Sequence, residues 1–301
     1  MSQKILIIGS QGMLGQELVR LFSGDDQYKV IGWDRNEIDI TQGFRPGRTS
    51  LKDQVSSLMP NIIINAAAYN NVDQCENDEI EYQKAKLLNG QAPGNLAAIA
   101  KELGAIFVHY STDYVFSGHK DKPEFMENDE PNPISNYGHS KLLGEQAVQE
   151  SGDKYYIIRL ARLFGRPAAS ENAKRSFFDT MLALGRKMAA ENKELSVVDE
   201  EVSCFTYAPD LAQATKDIIE QSQPIGIYHV TNQEAVTWFT AAQTLFKLAN
   251  IDVKLKPVSA HDFPRPAPRP KYSILKNTKL PALRGYQEAL SEYLLSRQIN
   301  N

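Results

Sequence analysis

Short apolar runs alternate with amphipathic stretches through the first half of the chain. The runs KILIIG (4–9), YKVIGW (28–33), NIIINAAA (61–68) and AIFVHYST (105–112) are almost continuous in aliphatic and aromatic residues. Such runs suit strands buried on both faces, because a half-exposed strand alternates apolar with polar positions. Between them, LGQELVRLF (14–22), SLKDQVSSL (50–58) and a long stretch from about Glu79 to Leu103 carry apolar residues at helical spacing. A further helix starts near Tyr137, and YYIIRLARLFG (155–165) reads as another strand. This alternation predicts an α/β protein with a doubly wound parallel sheet and right-handed crossovers.

The second half is less regular. FFDTMLALGRKMA (177–189) and TWFTAAQTLFKLAN (237–250) have the pattern of amphipathic helices. APDLAQATKDIIEQ (208–221) followed by GIYHV (226–230) reads as one more helix–strand unit returning to the sheet. In DFPRPAPRP (262–270) proline recurs at every second position from Pro264, which fixes an extended segment without backbone donors. On composition alone that segment is a stiff surface connection. The expected organisation is a dinucleotide-binding domain of residues 1–160 plus about 205–232. A smaller α/β lobe, built from about 161–204 plus 233–301, would bind substrate.

A chain of 301 residues can bury a sizeable core. Its formal charge of −4 gives no basic field for nucleic acid. No apolar run approaches the roughly 20 residues that span a bilayer, so no membrane partner is expected. KILIIG is too short for a signal-peptide core. Cys75 and Cys204 have neither metal nor redox spacing, and a reducing cytoplasm is the simplest home.

Chemistry first shows in ILIIGSQGMLGQEL, where Gly9, Gly12 and Gly15 lie between the first strand and the first helix. In that context Gly9 allows the tight turn, Gly12 a close approach to a pyrophosphate, and Gly15 the packing of helix on sheet. The helix N-terminus, with Met13 and Leu14, would face the phosphates. A Rossmann-like sheet binding NADPH or NADH is the expectation. Asp34 follows Gly15 by 19 residues, near where an acid would bond the adenosine ribose, whereas Arg35 could hold a 2′-phosphate. The choice of cofactor stays open.

The proton partner must lie at the carboxyl ends of the strands. Three Tyr-x-x-x-Lys pairs occur: Tyr82/Lys86, Tyr137/Lys141 and Tyr272/Lys276. Only the second can meet Ser111, Thr112 and Asp113, which end the fourth strand. A free phenol has a pKa of about 10, and an ammonium beside it is expected to bring that down.

The motifs GSQGMLGQEL, DRNEIDIT, NAAAYNNVDQCE, HYSTDYVFSG, YGHSKLLGE, VVDEEVSCFTYAPDLA and DFPRPAPRPKYSIL resemble those of the extended short-chain dehydrogenase/reductases. Within them the chain resembles the dTDP-4-dehydrorhamnose reductases, over nearly its whole length. The resemblance implies a catalytic set of Thr112, Tyr137 and Lys141. It implies a cofactor lining that includes Gly12, Met13, Leu14, Asp39, Ile40, Ala67, Ala68 and Tyr69. Asp113 would touch the sugar nucleotide, and Arg269 becomes a candidate contact in the substrate lobe. The implied reaction reduces the C4 ketone of a 6-deoxy-4-keto hexose on a nucleoside diphosphate, giving a product such as dTDP-L-rhamnose for surface polysaccharide. A different base or C4 epimer is the nearest alternative. A cofactor-binding regulatory subunit, like that of methionine adenosyltransferase, is the alternative without turnover.

Three departures from the family pattern fall in the substrate lobe. Arg162 stands where a tryptophan is usual, Ser203 and Phe205 replace glycine and proline, and Ser176 replaces asparagine. Arginine can pair with phosphate where tryptophan could only stack, so nucleotide choice and binding pose stay open. Some relatives bind a divalent ion such as Mg2+ at a dimer contact, and Glu17 aligns with one ligand position. A single solvated carboxylate is no evidence for metal, so no site is expected; a homodimer is left open.

Overall fold

The computed structural model describes residues 2–42, 49–118, 121–170 and 174–299. Six strands form one parallel sheet: β1 (Gln3–Ile8), β2 (Tyr28–Trp33), β3 (Ile62–Asn65), β4 (Ile106–Thr112), β5 (Tyr155–Leu160) and β6 (Gly226–His229). Their order is β2-β1-β3-β4-β5-β6. The direction of winding reverses between β1 and β3, and the carboxyl ends of those strands open the crevice where such sheets bind ligands.

The alternation of side chains along each strand divides the apolar runs between two cores. Ile5, Ile7, Ile62, Ile64 and Val108 meet α1 (Met13–Ser23) through Leu18 and Phe22 on one face. Leu6, Ile8, Ile63, Phe107 and Ile157 point to the other face. There they meet α2 (Leu51–Leu58) through Val55. Each such fully buried aliphatic side chain contributes about 1.5–3 kcal/mol. Two short helices, α3 (Val72–Asn77) and α4 (Glu79–Ala85), follow β3. The stretch to Leu103 is interrupted by a π-helical turn over Lys86–Gln91 before α5 (Ala92–Leu103). Next, α6 (Asn136–Ser151) packs on the second core through Val148.

The run 155–165 is not one strand. β5 ends at Leu160, and Leu163–Phe164 pairs instead with Thr206–Tyr207. Between them Arg162 takes a left-handed backbone, φ 43°. Phe164 thereby leaves the sheet for a third core. That core is shared by α7 (Phe177–Ala190), α9 (Trp238–Leu248) and α10 (Tyr286–Ile299), through Phe178, Leu245 and Leu290. Phe205 and Tyr207 belong to this third core, whereas Leu211 and Ile218 of α8 (Ala208–Glu220) belong to the first. The chain therefore crosses between cores at Tyr207–Ala208. Leu195–Val198 pairs with Leu255–Val258, and Glu124–Phe125 with Ile274–Leu275, as two-stranded pairs outside the main sheet. Among the described residues no helix is long and apolar enough to cross a membrane.

Candidate active site

The glycine loop sits at the β1/β3 switch. Gly9 has φ 80°, and a Cβ there would lie 2.7 Å from Ala67 N, so loop and strand end touch backbone to backbone. Gly9 and Ser10 both donate to Trp33 O, at 2.8 and 3.1 Å. Gly12 caps α1 without a side-chain acceptor, and the first turn holds no acid. The N–H groups of Met13, Leu14 and Gly15 are therefore left for a ligand, and the positive end of the helix favours an anion. A dinucleotide's diphosphate fits these donors. Ala67, Ala68 and Tyr69 are half-buried along the crevice.

The other proposed cofactor residues are tied more closely into the fold. Asp34 accepts from Gln11 N at 3.1 Å and Arg35 N at 2.8 Å, so its carboxylate braces the glycine loop. Arg35 is exposed beside it. Asp39 accepts from Thr41 and Gln42. Ile40 is buried in the second core, which leaves its backbone for any ligand contact. Tyr69 donates its hydroxyl to Glu81 and its N–H to Asn89 Oδ1.

The candidate acid lies on the first turn of α6. Ser135 caps that helix by accepting from Gly138 N at 3.2 Å, which sets Tyr137 at the crevice and Lys141 one turn on. The Tyr137 ring packs edge-on against Tyr114, with centroids 5.7 Å apart. Its hydroxyl lies 3.5 Å from Asn70 Oδ1 and within hydrogen-bonding reach of Thr112. Thr112 donates to Asp113 Oδ1 at 3.1 Å and accepts from Tyr114 N at 3.3 Å. Ser111, the next residue back along β4, buries a hydroxyl that has no protein partner among the described residues.

The electrostatics correct one expectation. Burial pushes the Tyr137 phenol above its ordinary range, and the Asp113 carboxylate adds to that; the Thr112 hydrogen bond works against it. The Lys141 ammonium does not deliver the lowering that its spacing suggested. It turns inward and donates to Tyr110 O at 2.6 Å. Burial brings Lys141 itself down to about 8, opposed by Glu145.

The substrate-side residues are also more committed than expected. Asp113 Oδ2 accepts from Ser203 Oγ at 3.0 Å and Ser273 Oγ at 2.6 Å, so both its oxygens are engaged. Burial raises its pKa while these hydroxyls and the Arg162 charge lower it. Arg162 donates to Val236 O and Glu201 O, each at 2.8 Å, and lies over the Trp238 ring at 3.8 Å. Arg269 forms a two-pronged ion pair with Asp73 of α3, at 2.6 and 2.9 Å. The guanidiniums of Arg162 and Arg269 thus hold the lobe together. Beside them lies a cavity of about 450 Å³ lined by Glu201, His261, Arg265, Ala267, Arg269 and Lys271.

The remaining departures have local explanations. Ser176 caps α7 by accepting from Asp179 N at 3.1 Å, a role asparagine also fills. Phe205 is fully buried and stacks on Phe178 with centroids 4.7 Å apart. Glu17 is buried rather than solvated and pairs with Arg20 at 2.7 Å. No group of three or more metal-ligating side chains gathers among the described residues. Cys75 and Cys204 are free and buried, and burial pushes the Cys75 thiol up to about 11. Of the other Tyr/Lys pairs, Lys86 lies over the Tyr82 ring at 4.6 Å, and Lys276 pairs with Glu124 at 3.2 Å. Sequence reading missed Ser273, Glu201, Glu145 and Arg159, whose partners are remote in sequence.

Comparison with known proteins agrees over the full length. The family model described as RmlD substrate binding domain matches residues 3–299. A dTDP-4-dehydrorhamnose reductase from Clostridium acetobutylicum has a similar structure, with TM-score 0.88 and 38% identity over 98% of this chain and 100% of that one. Another, from Bacillus anthracis in complex with NADP, has TM-score 0.87 and 33% identity over 98% and 100% of the two chains. A Streptomyces antibioticus protein, named as a probable dTDP-4,6-dihydroxy-2-methyloxan-3-one 4-ketoreductase, is 36% identical over 95% of this chain and 93% of its own.

Proposed function

The chain belongs to the RmlD substrate binding domain family, and on that premise we propose that it reduces the C4 ketone of dTDP-4-dehydro-6-deoxy-L-mannose to dTDP-L-rhamnose. The reductant is NADPH or NADH. One observation carries the reading: Thr112, Tyr137 and Lys141 gather at the carboxyl edge of the sheet, beside a helix N-terminus left open for a diphosphate.

The reduced nicotinamide, when bound, supplies a hydride to the C4 carbon. Tyr137 holds the matching proton on its hydroxyl and gives it to the carbonyl oxygen, which becomes the C4 hydroxyl. A phenol pushed up by burial keeps that proton at neutral pH, as a donor requires. Thr112, within hydrogen-bonding reach of the Tyr137 hydroxyl, helps hold it in place and leaves the phenolic proton for the carbonyl oxygen. Lys141 provides a cation one turn behind the phenol. The donors of Met13, Leu14 and Gly15 hold the diphosphate, while Asp34 offers an acceptor to a ribose hydroxyl and Arg35 a cation to a 2′-phosphate. We assign residues 161–204 and 233–301 to the lobe that receives the sugar nucleotide.

A second reading keeps the chemistry and changes the sugar. Arg162 and Ser203, both different from the family pattern, stand next to Asp113, and the S. antibioticus relative is named for another dTDP-linked ketosugar. Incubation with dTDP-4-keto-6-deoxy-L-mannose and each reduced cofactor, followed by product analysis, separates the readings. dTDP-L-rhamnose supports the first, and turnover only with a different 4-keto nucleotide sugar supports the second. Failure to oxidise either cofactor with any of them would favour a regulatory cofactor-binding subunit.

A further inference from the structure

Behind Lys141 the second core changes character. Along the sheet face that α6 covers, each strand changes from an apolar to a polar residue two positions on: Ile63 to Asn65, Phe107 to His109, Ile157 to Arg159 and Ile227 to His229. All four polar residues are buried to within 1% of completely. A charged arginine there is costly unless it is paired and fully hydrogen-bonded. Arg159 is both. Its Nε and Nη2 donate to the two oxygens of Glu145 at 2.9 and 2.6 Å. Its Nη1 lies 3.3 Å from Glu127 O and 3.4 Å from His229 Nε2, and its guanidinium sits over Phe116 at 5.0 Å.

Glu145 lies four residues after Lys141, on the same face of α6. Arg159 pairs in register with Ser111, one residue before Thr112. The ion pair therefore bolts the helix carrying Tyr137 and Lys141 to the strand beside the one carrying Thr112. The fit of α6 is tight at this level: a Cβ on Gly144 would lie 2.0 Å from Asn89 O of the π-turn.

We propose that the buried Glu145–Arg159 pair is a positioning device for Lys141, fixing how far α6 turns onto the sheet and keeping a negative charge one turn behind the ammonium. The proposal rests on the reductase reading above. The groups that face Lys141 are few. Tyr137 and Glu145 share its helix, and Arg159 stands across on β5. His109 on β4 takes Asn65 Nδ2 at its Nδ1 and is held neutral by burial. His229 on β6 is brought down to about 4 by burial and by Arg159. The π-turn contributes Asn89, which is uncharged. Glu145 is thus the carboxylate that favours the charged form of Lys141, and its effect on Lys141 is upward.

The test compares pH profiles of kcat for the wild-type protein and two variants, with dTDP-4-keto-6-deoxy-L-mannose and NADPH at saturation. Reduction falls at high pH as Lys141 loses its proton. Glu145→Gln keeps the shape and removes the charge, so that limb moves about one pH unit lower, while both KM values stay within about twofold. Because this variant leaves Arg159 unpaired and can fail to fold, the double variant Glu145→Gln/Arg159→Met removes both charges, a change that buried pairs commonly tolerate. It folds, and its kcat drops about tenfold with KM unchanged. An unmoved limb in folded Glu145→Gln, or wild-type kcat in the folded double variant, overturns the proposal. Wild-type turnover in the same assay shows separately whether the reductase reading holds.

Discussion

Replacing Arg162 with lysine asks whether that guanidinium serves the fold or the substrate. Arg162 donates to Val236 O and Glu201 O at 2.8 Å each and stacks on Trp238 at 3.8 Å. Lysine keeps the charge but loses the planar fork, so it satisfies at most one carbonyl and cannot stack in the same way. One lost hydrogen bond from a charged donor costs about 1.5–3 kcal/mol. The lost stack costs about 0.5–2 kcal/mol. The side chain is only half-buried, so the combined loss is set at about 3 kcal/mol. At roughly 2–4 °C per kcal/mol for a chain approaching this size, the unfolding midpoint drops by about 6–12 °C. Thermal unfolding followed by tryptophan fluorescence measures that drop, and steady-state kinetics gives KM for the sugar nucleotide, expected within about threefold of wild type. An unchanged midpoint with KM raised about tenfold or more would refute this reasoning and return Arg162 to the phosphate role that the sequence suggested.

Two further outcomes follow from the geometry. Asp73, held below the usual carboxylate range first by its hydrogen bonds to Arg269, anchors the Pro-rich segment. Its depressed pKa contributes stability that is present above the unfolded value near 3.9 and is lost as pH falls through the folded value. Asp73→Asn is therefore less stable than wild type by about 1 kcal/mol at pH 7, and urea unfolding repeated towards pH 3 should see that gap close; a gap independent of pH would contradict the pairing. A Cβ on Gly15 would sit 2.0 Å from Gly9 O, so Gly15→Ala must shift the helix N-terminus. NADPH affinity by fluorescence titration should fall about tenfold, and an affinity within twofold would show that the helix end does not hold the diphosphate.

The sheet was legible because Ile5 to Ile8 and Ile62 to Ile64 are apolar at every position, which only a strand covered on both sides requires. The Tyr137/Lys141 pair could be chosen because its helix follows a strand ending in Ser111, Thr112 and Asp113. What lay hidden depends on partners distant in sequence. Asp113 meets Ser203 and Ser273 across 90 and 160 residues, and no local pattern marks that contact. The break at Arg162 was invisible since a left-handed arginine has no sequence signature, and apolar residues continue on both sides of it. Arg159 inside an apolar strand was the one readable anomaly: a charge among YYII calls for a buried partner, which the fold supplies as Glu145. Spacing put Lys141 beside Tyr137 but could not say that its ammonium turns to Tyr110 O.

The most direct measurement is single-turnover oxidation of bound NADPH by dTDP-4-keto-6-deoxy-L-mannose in Tyr137→Phe, alongside NADPH affinity. Without the phenolic proton the rate should fall by about 10²–10⁴-fold, while cofactor affinity stays near the wild-type value. Wild-type oxidation by the phenylalanine variant would mean that Tyr137 is not the acid and that the chemistry lies elsewhere in the molecule.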